Sequence, residues 1–288
     1  MEYKLKAYSI FEVGKRTDIF GKPHQEDCIF PYFSDISNDD RVFILCDGMG
    51  GHDAGEIASS VVCESLGHSI RTMLNANTIF SVTELKQALS VAYDALDAND
   101  TGSKKKMGTT LAMVVFHTTG VLIAHIGDSR IYHIRPGKSE KDTTILFQTE
   151  DHSLLNSLVK SGEMTIVEAK SSVKKNIITK AIQPNSDRID PDVTEITDIK
   201  AGDWFYICSD GMLEQEEMEN GSALKRIFSN QVADDDKVQI LRGATSENND
   251  NHSAIVIKVN SYSEGSNPIH RENNQTNSVW NRIKTIFQ

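Results

Sequence analysis

Apolar residues arrive along this chain in short runs broken by polar, Gly- and Asp-rich segments, a rhythm of strands and turns. Residues 3–13, 28–33 and 42–46 read as three strands, and the short loops between them favour antiparallel pairing. Two stretches then keep helical spacing. Residues 54–74 place Ile57, Val61, Val62, Leu66 and Ile70 on one face, and residues 83–99 do the same with Leu85, Ala88, Leu89, Ala92 and Leu96. Both stripes are core-packing faces. The strand pattern returns at 109–116, 121–126 and 131–134, where brief Gly- or Asp-containing turns predict an antiparallel meander. Residues 145–148, 177–182, 192–197, 204–208 and 254–259 add further strands. Residues 151–160 read as a helix with Asp151 or Ser153 near its cap, and 222–228 and 237–242 as two more helices. The charged stretch 161–176 is short of apolar residues and reads as lying outside the core. Strands outnumber helices and come in antiparallel runs, so the pattern predicts an α+β layered domain, two antiparallel sheets with helices outside them.

Composition narrows the function. With 30 basic and 41 acidic residues in 288, the net charge is −11, which disfavours a nucleic-acid surface and suits a chain that gathers carboxylates around divalent cations. Cys28, Cys46, Cys63 and Cys208 fall mainly in apolar runs with no CxxC pair, so they read as small buried hydrophobes in a reducing, cytoplasmic setting. The first residues lack the apolar core of a signal peptide, and no run of ~18 apolar residues suggests a membrane span. Residues 1–260 are expected to form one folded domain and 261–288 a polar tail. Near the tail's end Val279, Trp280, Ile283, Ile286 and Phe287 have the spacing of a short amphipathic helix, with Arg282 and Lys284 on the other side.

Acidic residues recur at strand edges. Asp47 closes the run 42–46 and is followed by Gly48, Gly50 and Gly51; Asp210 follows 204–209, and Asp128 follows 121–126. Asp250 lies just before 254–259, and Glu26-Asp27 just before Cys28. A carboxylate at the end of a buried strand must be paired, hydrogen-bonded or metal-bound.

In order, the chain presents Gln25-Glu26-Asp27, CDGMGGHDAGEIAS at 46–59, MGTT at 107–110, IGDSR at 126–130 and TEDHSLLNSLVKSGEM at 149–164. NIITKAI at 176–182, CSDGM at 208–212 and DNHSAIVIKV at 250–259 complete the series. This set, spanning about residues 5–260, resembles the protein phosphatase 2C family of metal-dependent serine/threonine phosphatases, and in particular its compact bacterial branch. The resemblance implies a four-layer αββα sandwich and hydrolysis of phosphoserine and phosphothreonine by a metal-activated water. An acidic, oxygen-only ligand set fits Mg²⁺ or Mn²⁺ better than zinc, and no Cys-x5-Arg arrangement points to a phosphocysteine step.

Carried over residue by residue, Asp47 bridges two ions, the Gly48 carbonyl binds one, and Asp210 and Asp250 complete the other. Glu26 reaches the ions through a water with Asp27 in support, and Asp128 helps hold a third, weaker ion. The family's phosphate-gripping arginine is replaced by Lys22, which keeps the charge and loses the bidentate fork. Gln25 stands for the usual Asn. Met49 takes the place of the histidine that eukaryotic members use as general acid, and His52 reads as a surface or capping residue, so leaving-group protonation falls to a metal-bound water. Residues 161–175 match the variable flap, whose Lys170, Lys174 and Lys175 could attract phosphorylated segments. The resemblance also implies phosphoprotein substrates and a Ser/Thr kinase as natural counterpart. A non-catalytic pseudophosphatase and a small-metabolite phosphatase are the rival readings.

Overall fold

The run Val42 to Cys46 is apolar at every position because it is covered on both faces. Phe43 and Leu45 point into a core between two sheets, whereas Ile44 and Cys46 point into a core between one sheet and helices. This double burial repeats across the molecule and sets its layers. In this computed structural model the described residues are 2–15, 17, 21–50, 53–76, 79–100, 102, 107–172 and 177–263.

In chain order the elements are β1 (Glu2–Glu12), β2 (Asp27–Phe30), β3 (Val42–Met49), α1 (Asp53–Ala76), α2 (Val82–Ala98), β4 (Gly108–Thr109), β5 (Leu111–His117) and β6 (Gly120–Ile126). There follow β7 (Arg130–Arg135), β8 (Thr144–Gln148), α3 (Leu154–Lys160), α4 (Ile166–Ser171), β9 (Asp192–Ile196) and β10 (Trp204–Cys208). The last are α5 (Glu216–Glu219), α6 (Ser222–Phe228), α7 (Asp234–Thr245) and β11 (His252–Ser263). One sheet has the order β1-β11-β10-β7-β8 and the other β2-β3-β5-β6-β9, with β4 added to β3. The pairings are antiparallel.

Phe43, Leu45, Val114 and Phe116 of one sheet meet Phe205, Ile207, Ile255 and Ile257 of the other in the central core. α1 and α2 cover one outer face through Val62, Leu66, Leu89 and Leu96, and α6 and α7 cover the opposite one through Leu224, Phe228, Val238 and Leu241. Each such side chain contributes about 1.5–3 kcal/mol by leaving water. The result is the αββα sandwich. α2 starts where its sequence says it should, with Ser81 and Glu84 capping each other's backbone N–H groups. Among the described residues no helix is long and apolar enough to cross a membrane.

Several expectations are corrected. The meander fails after its second strand: β5 and β6 form a hairpin, but β7 leaves for the other sheet and pairs with β10 and β8. Gly127-Asp128-Ser129 is therefore a crossover between sheets. β3 does not stop at Asp47, because Gly48 and Met49 go on to pair with Thr109 and Gly108 of β4. The second strand ends at Phe30, leaving Tyr32 and Phe33 exposed. Residues 177–182 form no strand; single bridges from Ile178 to Ser153 and Ile182 to Thr109 mark its ends. Its interior instead spends its polar groups locally, Thr179 N–H on the His152 carbonyl and the Lys180 ammonium on Asp192. Within 161–176 a short helix forms, α4, because Thr165 and Glu168 make a capping box. The His52, Lys174, Lys175 and tail readings from 264 onward, and the side chain of Lys170, lie outside the described residues.

Candidate metal centre

Antiparallel pairing sets the end of one strand beside the start of the next, and here it gathers carboxylates at one end of the sandwich. Asp27 pairs directly with Asp47 across β2 and β3. β10 finishes at Cys208, opposite Ala254 of β11 on one side and Arg130 of β7 on the other. Asp210, Asp250 and Asp128 lie just beyond those three residues. The sheets are tied together at this point, where the Ser209 hydroxyl donates to Asp27 Oδ2 at 3.0 Å. The turn after Asp210 passes so close to β11 that a Cβ on Gly211 would sit 2.0 Å from the Asn251 carbonyl oxygen, so only glycine fits.

The backbone carrying these groups is held by side chains. The Asp47 N–H donates to Thr110 Oγ1 at 2.9 Å, and the Gly48 N–H to the Glu26 carbonyl at 3.0 Å. Asn251 accepts the Glu26 N–H at 2.8 Å while its amide donates to the Val13 and His24 carbonyls. Glu214 accepts the N–H groups of Asn249 and Asp250. A cavity of about 200 Å³ opens among Asp128, Asp210, Gly211 and Asp250, walled by Arg130, Asp151 and Glu214. Arg130 is fixed there by a bidentate pair with Asp151, both bonds 2.7 Å, and by the Tyr132 hydroxyl and the Glu219 carbonyl.

The electrostatics are those of like charges forced together. Burial, reinforced by Asp27, Asp210, Asp128 and Asp250, lifts the Asp47 carboxyl well above the usual range. Burial pushes Asp27 up to about 7, with Asp210 and Asp250 adding to it against hydroxyl hydrogen bonds. Asp128 is pushed up to about 7 by burial, then by Asp210 and Asp151. Asp210 rises to about 6 through burial and Asp250. Asp27 Oδ1 and Asp128 Oδ1 are buried with no hydrogen-bond partner, a costly state for a polar atom. Carboxylate oxygens crowded in this way, with no histidine or cysteine among them, fit hard divalent cations.

Asp47 and Asp210 are in side-chain hydrogen-bond contact, but no three of the described aspartates bring donor oxygens within 4.8 Å of one another. Among the described residues, His125, His152 and Asp192 form the one trio of ligand-type side chains with donor atoms within 4.8 Å of one another. Glu26 sits beside the cluster with its carboxylate 3.8 Å from His24 Nε2, which in turn is 3.6 Å from Glu56. Lys22 is exposed on the preceding loop and does not line the cavity. Met49, at the end of β3, pairs with Gly108. Of the supporting residues Thr110, Arg130, Asp151, Glu214 and Asn251, the sequence marks only Asp151, and that as a helix-cap candidate. Four of them stand inside or beside the quoted motifs, in MGTT, IGDSR, TEDHS and DNHS, but nothing local marks their partners.

The sequence profile described as Protein phosphatase 2C matches residues 14–243. Protein phosphatase PhpP of Streptococcus pneumoniae is 33% identical over 234 residues, which cover 80% of this chain and 89% of that protein. The crystal structure of the Mycobacterium tuberculosis serine/threonine phosphatase PstP/Ppp superposes with a TM-score of 0.69 at 25% identity, covering 89% of this chain and 99% of that one. A structure of the PstP catalytic domain in complex with two manganese ions gives a TM-score of 0.67 at 26% identity, with coverage of 89% and 99%. Profile, relatives and architecture agree: this chain belongs to the protein phosphatase 2C family.

Proposed function

We propose that this serine/threonine protein phosphatase works at the strand-end carboxylate cluster, with Asp47, Gly48, Asp210 and Asp250 holding two Mg²⁺ or Mn²⁺ ions and Asp128 a third. The observation that carries this is the crowding of buried carboxyls, with Asp27, Asp47, Asp128 and Asp210 each driven up by burial and by neighbouring carboxylates, and with Asp27 Oδ1 and Asp128 Oδ1 lacking partners. When bound, such ions neutralise phosphate charge and lower the pKa of a water poised for in-line attack on phosphorus. The chain's own work is positional. Thr110 fixes the Asp47 backbone, Glu214 fixes that of Asp250, and Asn251 fixes that of Glu26. Asp27, hydrogen-bonded to Ser209, ties the two sheets together at the carboxylate cluster and would support Glu26 there. Lys22 supplies positive charge for the incoming phosphate from the loop before Glu26, without the two-point grip of a guanidinium.

Phosphorylated proteins are the substrates, and a Ser/Thr kinase is the natural counterpart that supplies them. A cytoplasmic setting is supported by the buried free thiols of Cys46, Cys63 and Cys208. The catalytic unit is taken as residues 1–263 rather than 1–260, because Ser261, Tyr262 and Ser263 finish β11 opposite Lys4, Tyr3 and Glu2, and the tail as 264–288.

The test is hydrolysis of an aryl phosphate with Mn²⁺, with and without chelator, beside Asp47→Asn and Asp210→Asn. Metal-dependent turnover that both substitutions remove is expected; an inert wild type, or mutants that keep its activity, overturns the assignment. Comparison of phosphopeptides with small phosphorylated metabolites, with peptides preferred, separates the protein phosphatase from a metabolite enzyme.

A further inference from the structure

His125, His152, Lys180 and Asp192 are drawn together beside the carboxylate cluster, and the proposed chemistry uses none of them. As arranged they do not form a cation site. The Gly127 N–H donates to His152 Nδ1 at 3.1 Å, so the ring proton lies on Nε2, which faces Asp192 Oδ2 at 3.2 Å. A metal at Nε2 would have to displace that proton while Nδ1 still accepts from Gly127. The Lys180 ammonium already stands where a cation would, 3.3 Å from Nε2 and 3.1 Å from Asp192 Oδ1. The His125 ring stacks on His152 at 4.6 Å and is itself anchored to the Glu150 carbonyl at 2.9 Å.

What the cluster does is grip one glycine. The His152 backbone N–H donates to the Gly127 carbonyl at 2.9 Å while its ring accepts the Gly127 N–H, so both polar groups of Gly127 are held by a single residue. Gly127 has φ +101°, and a Cβ there would lie 2.6 Å from Thr110 Cγ2. This is the crossover where the chain changes sheets. The next residue is Asp128, whose Oδ1 has no partner. The one after, Ser129, has its hydroxyl 2.8 Å from that of Thr110, the same hydroxyl that receives the Asp47 N–H.

We infer that His152 is a positioning residue: by clamping Gly127 it sets where Asp128 presents its carboxylate, and through Ser129 and Thr110 it keeps that carboxylate in register with Asp47. Asp192 fixes the tautomer that lets Nδ1 accept, in the way outer partners orient the ligands of metal sites. The inference rests on the proposed reading of Asp128 as a ligand of the weakest ion. Its consequence is that this one ion, and not the two held by Asp47, Asp210 and Asp250, depends on His152.

The test counts Mn²⁺ sites on the full-length protein by calorimetry and by the electron paramagnetic resonance signal of free Mn²⁺, with no substrate present. His152→Leu removes the acceptor, and His152→Asn returns an oxygen close to where Nδ1 stood. The leucine variant is expected to weaken the weakest site by about 10- to 100-fold while the tighter sites change by about twofold or less, and the asparagine variant to recover most of the loss. Asp192→Asn, at a side chain 57% exposed, is expected to weaken the same site more mildly and serves where His152→Leu fails to fold. Unchanged Mn²⁺ binding in His152→Leu, or in Asp192→Asn where it stands in, overturns the inference, as does equal weakening of every site by leucine and asparagine. Asp128→Asn separates the two levels. If it loses a site that His152→Leu keeps, only the role of His152 fails; if it keeps every site, the parent reading of Asp128 fails.

Discussion

Strand β10 carries an aspartate just outside each of its ends, and the molecule treats the two oppositely. Asp203, before Trp204, is 1% exposed, yet it takes two hydrogen bonds from Arg135 at 2.9 and 2.8 Å, one from His133 at 2.9 Å and one from the Lys200 N–H at 2.8 Å. Burial pushes its carboxyl up, but Arg135, His133 and Lys200 more than offset this and hold it at about 2. Asp210, beyond Cys208, rises to about 6, because burial and the charges of Asp250 and Glu214 outweigh its hydrogen bonds to Asp47 and the Gly211 backbone. The same residue type, at two ends of one strand, is thus a finished ion pair in one place and an unneutralised charge in the other. The first needs nothing from outside the chain. The second is left for a cation brought from solution to complete, which is what the proposed metal site supplies.

The sharpest way to break this comparison is to neutralise each aspartate. Asp210→Asn is expected to lower kcat/KM on a phosphopeptide by roughly 10³-fold or more, while the metal-free protein gains about 1 kcal/mol from lost repulsion. Asp203→Asn should do the reverse, keeping activity within a few-fold and losing about 3 kcal/mol, or roughly 6–12 °C in Tm. Matching behaviour in thermal melts and kinetics would mean that the two ends are not different in kind.

A smaller effect comes from metal itself. Mn²⁺ at about 100 times its Kd should stabilise the wild type by about 2.7 kcal/mol per site, and a chelator should reverse it. The shift should survive in Asp203→Asn and shrink in Asp210→Asn when melts are run at matched metal. An equal shift in both places the binding elsewhere.

Acid sharpens the same contrast. Because the folded pKa of Asp203 is depressed, its stabilisation is fully present above the unfolded value of 3.8 and is lost as pH falls through about 2. Denaturant unfolding should therefore show a constant gap between wild type and Asp203→Asn from pH 7 to 5, narrowing between about pH 4 and 2. A gap that stays level through this range would assign the stability to packing. The smallest change is Lys22→Arg on the exposed loop before Glu26. Restoring a bidentate fork should lower KM for a phosphopeptide by about two- to fivefold and leave kcat unchanged.

Much of this molecule is legible locally. The unbroken apolar run Phe43-Ile44-Leu45-Cys46 places a doubly buried strand, and the Leu85, Ala88, Leu89, Ala92 and Leu96 stripe places α2, because both patterns are properties of a few consecutive residues. Ser81 and Glu84 mark the start of that helix by themselves. Asp47, Asp210, Asp250 and Asp128 stand out as acids at the ends of apolar runs, and the eight motifs taken in order along the chain carry the resemblance to the family. Asp203 stands at the other end of the same run; the CSDGM motif marks Asp210 by resemblance, but nothing local separates the electrostatic fates of the two.

That separation belongs to the tertiary structure. Arg135 and His133 reach Asp203 from β7, nearly seventy residues earlier in the chain, and they do so because β7 crosses to the far sheet at Gly127. The short turn 127–129 reads equally well as a hairpin, and only packing of Ile131 and Tyr132 into different cores, with His152 and Thr110 holding the crossover, decides otherwise. Local periodicity therefore determined the strands, the helices and the candidate carboxylates. Which of those carboxylates meet a cation of the protein's own and which meet one another was decided by long-range pairing, since the energy of a buried charge depends on neighbours in space and not in sequence.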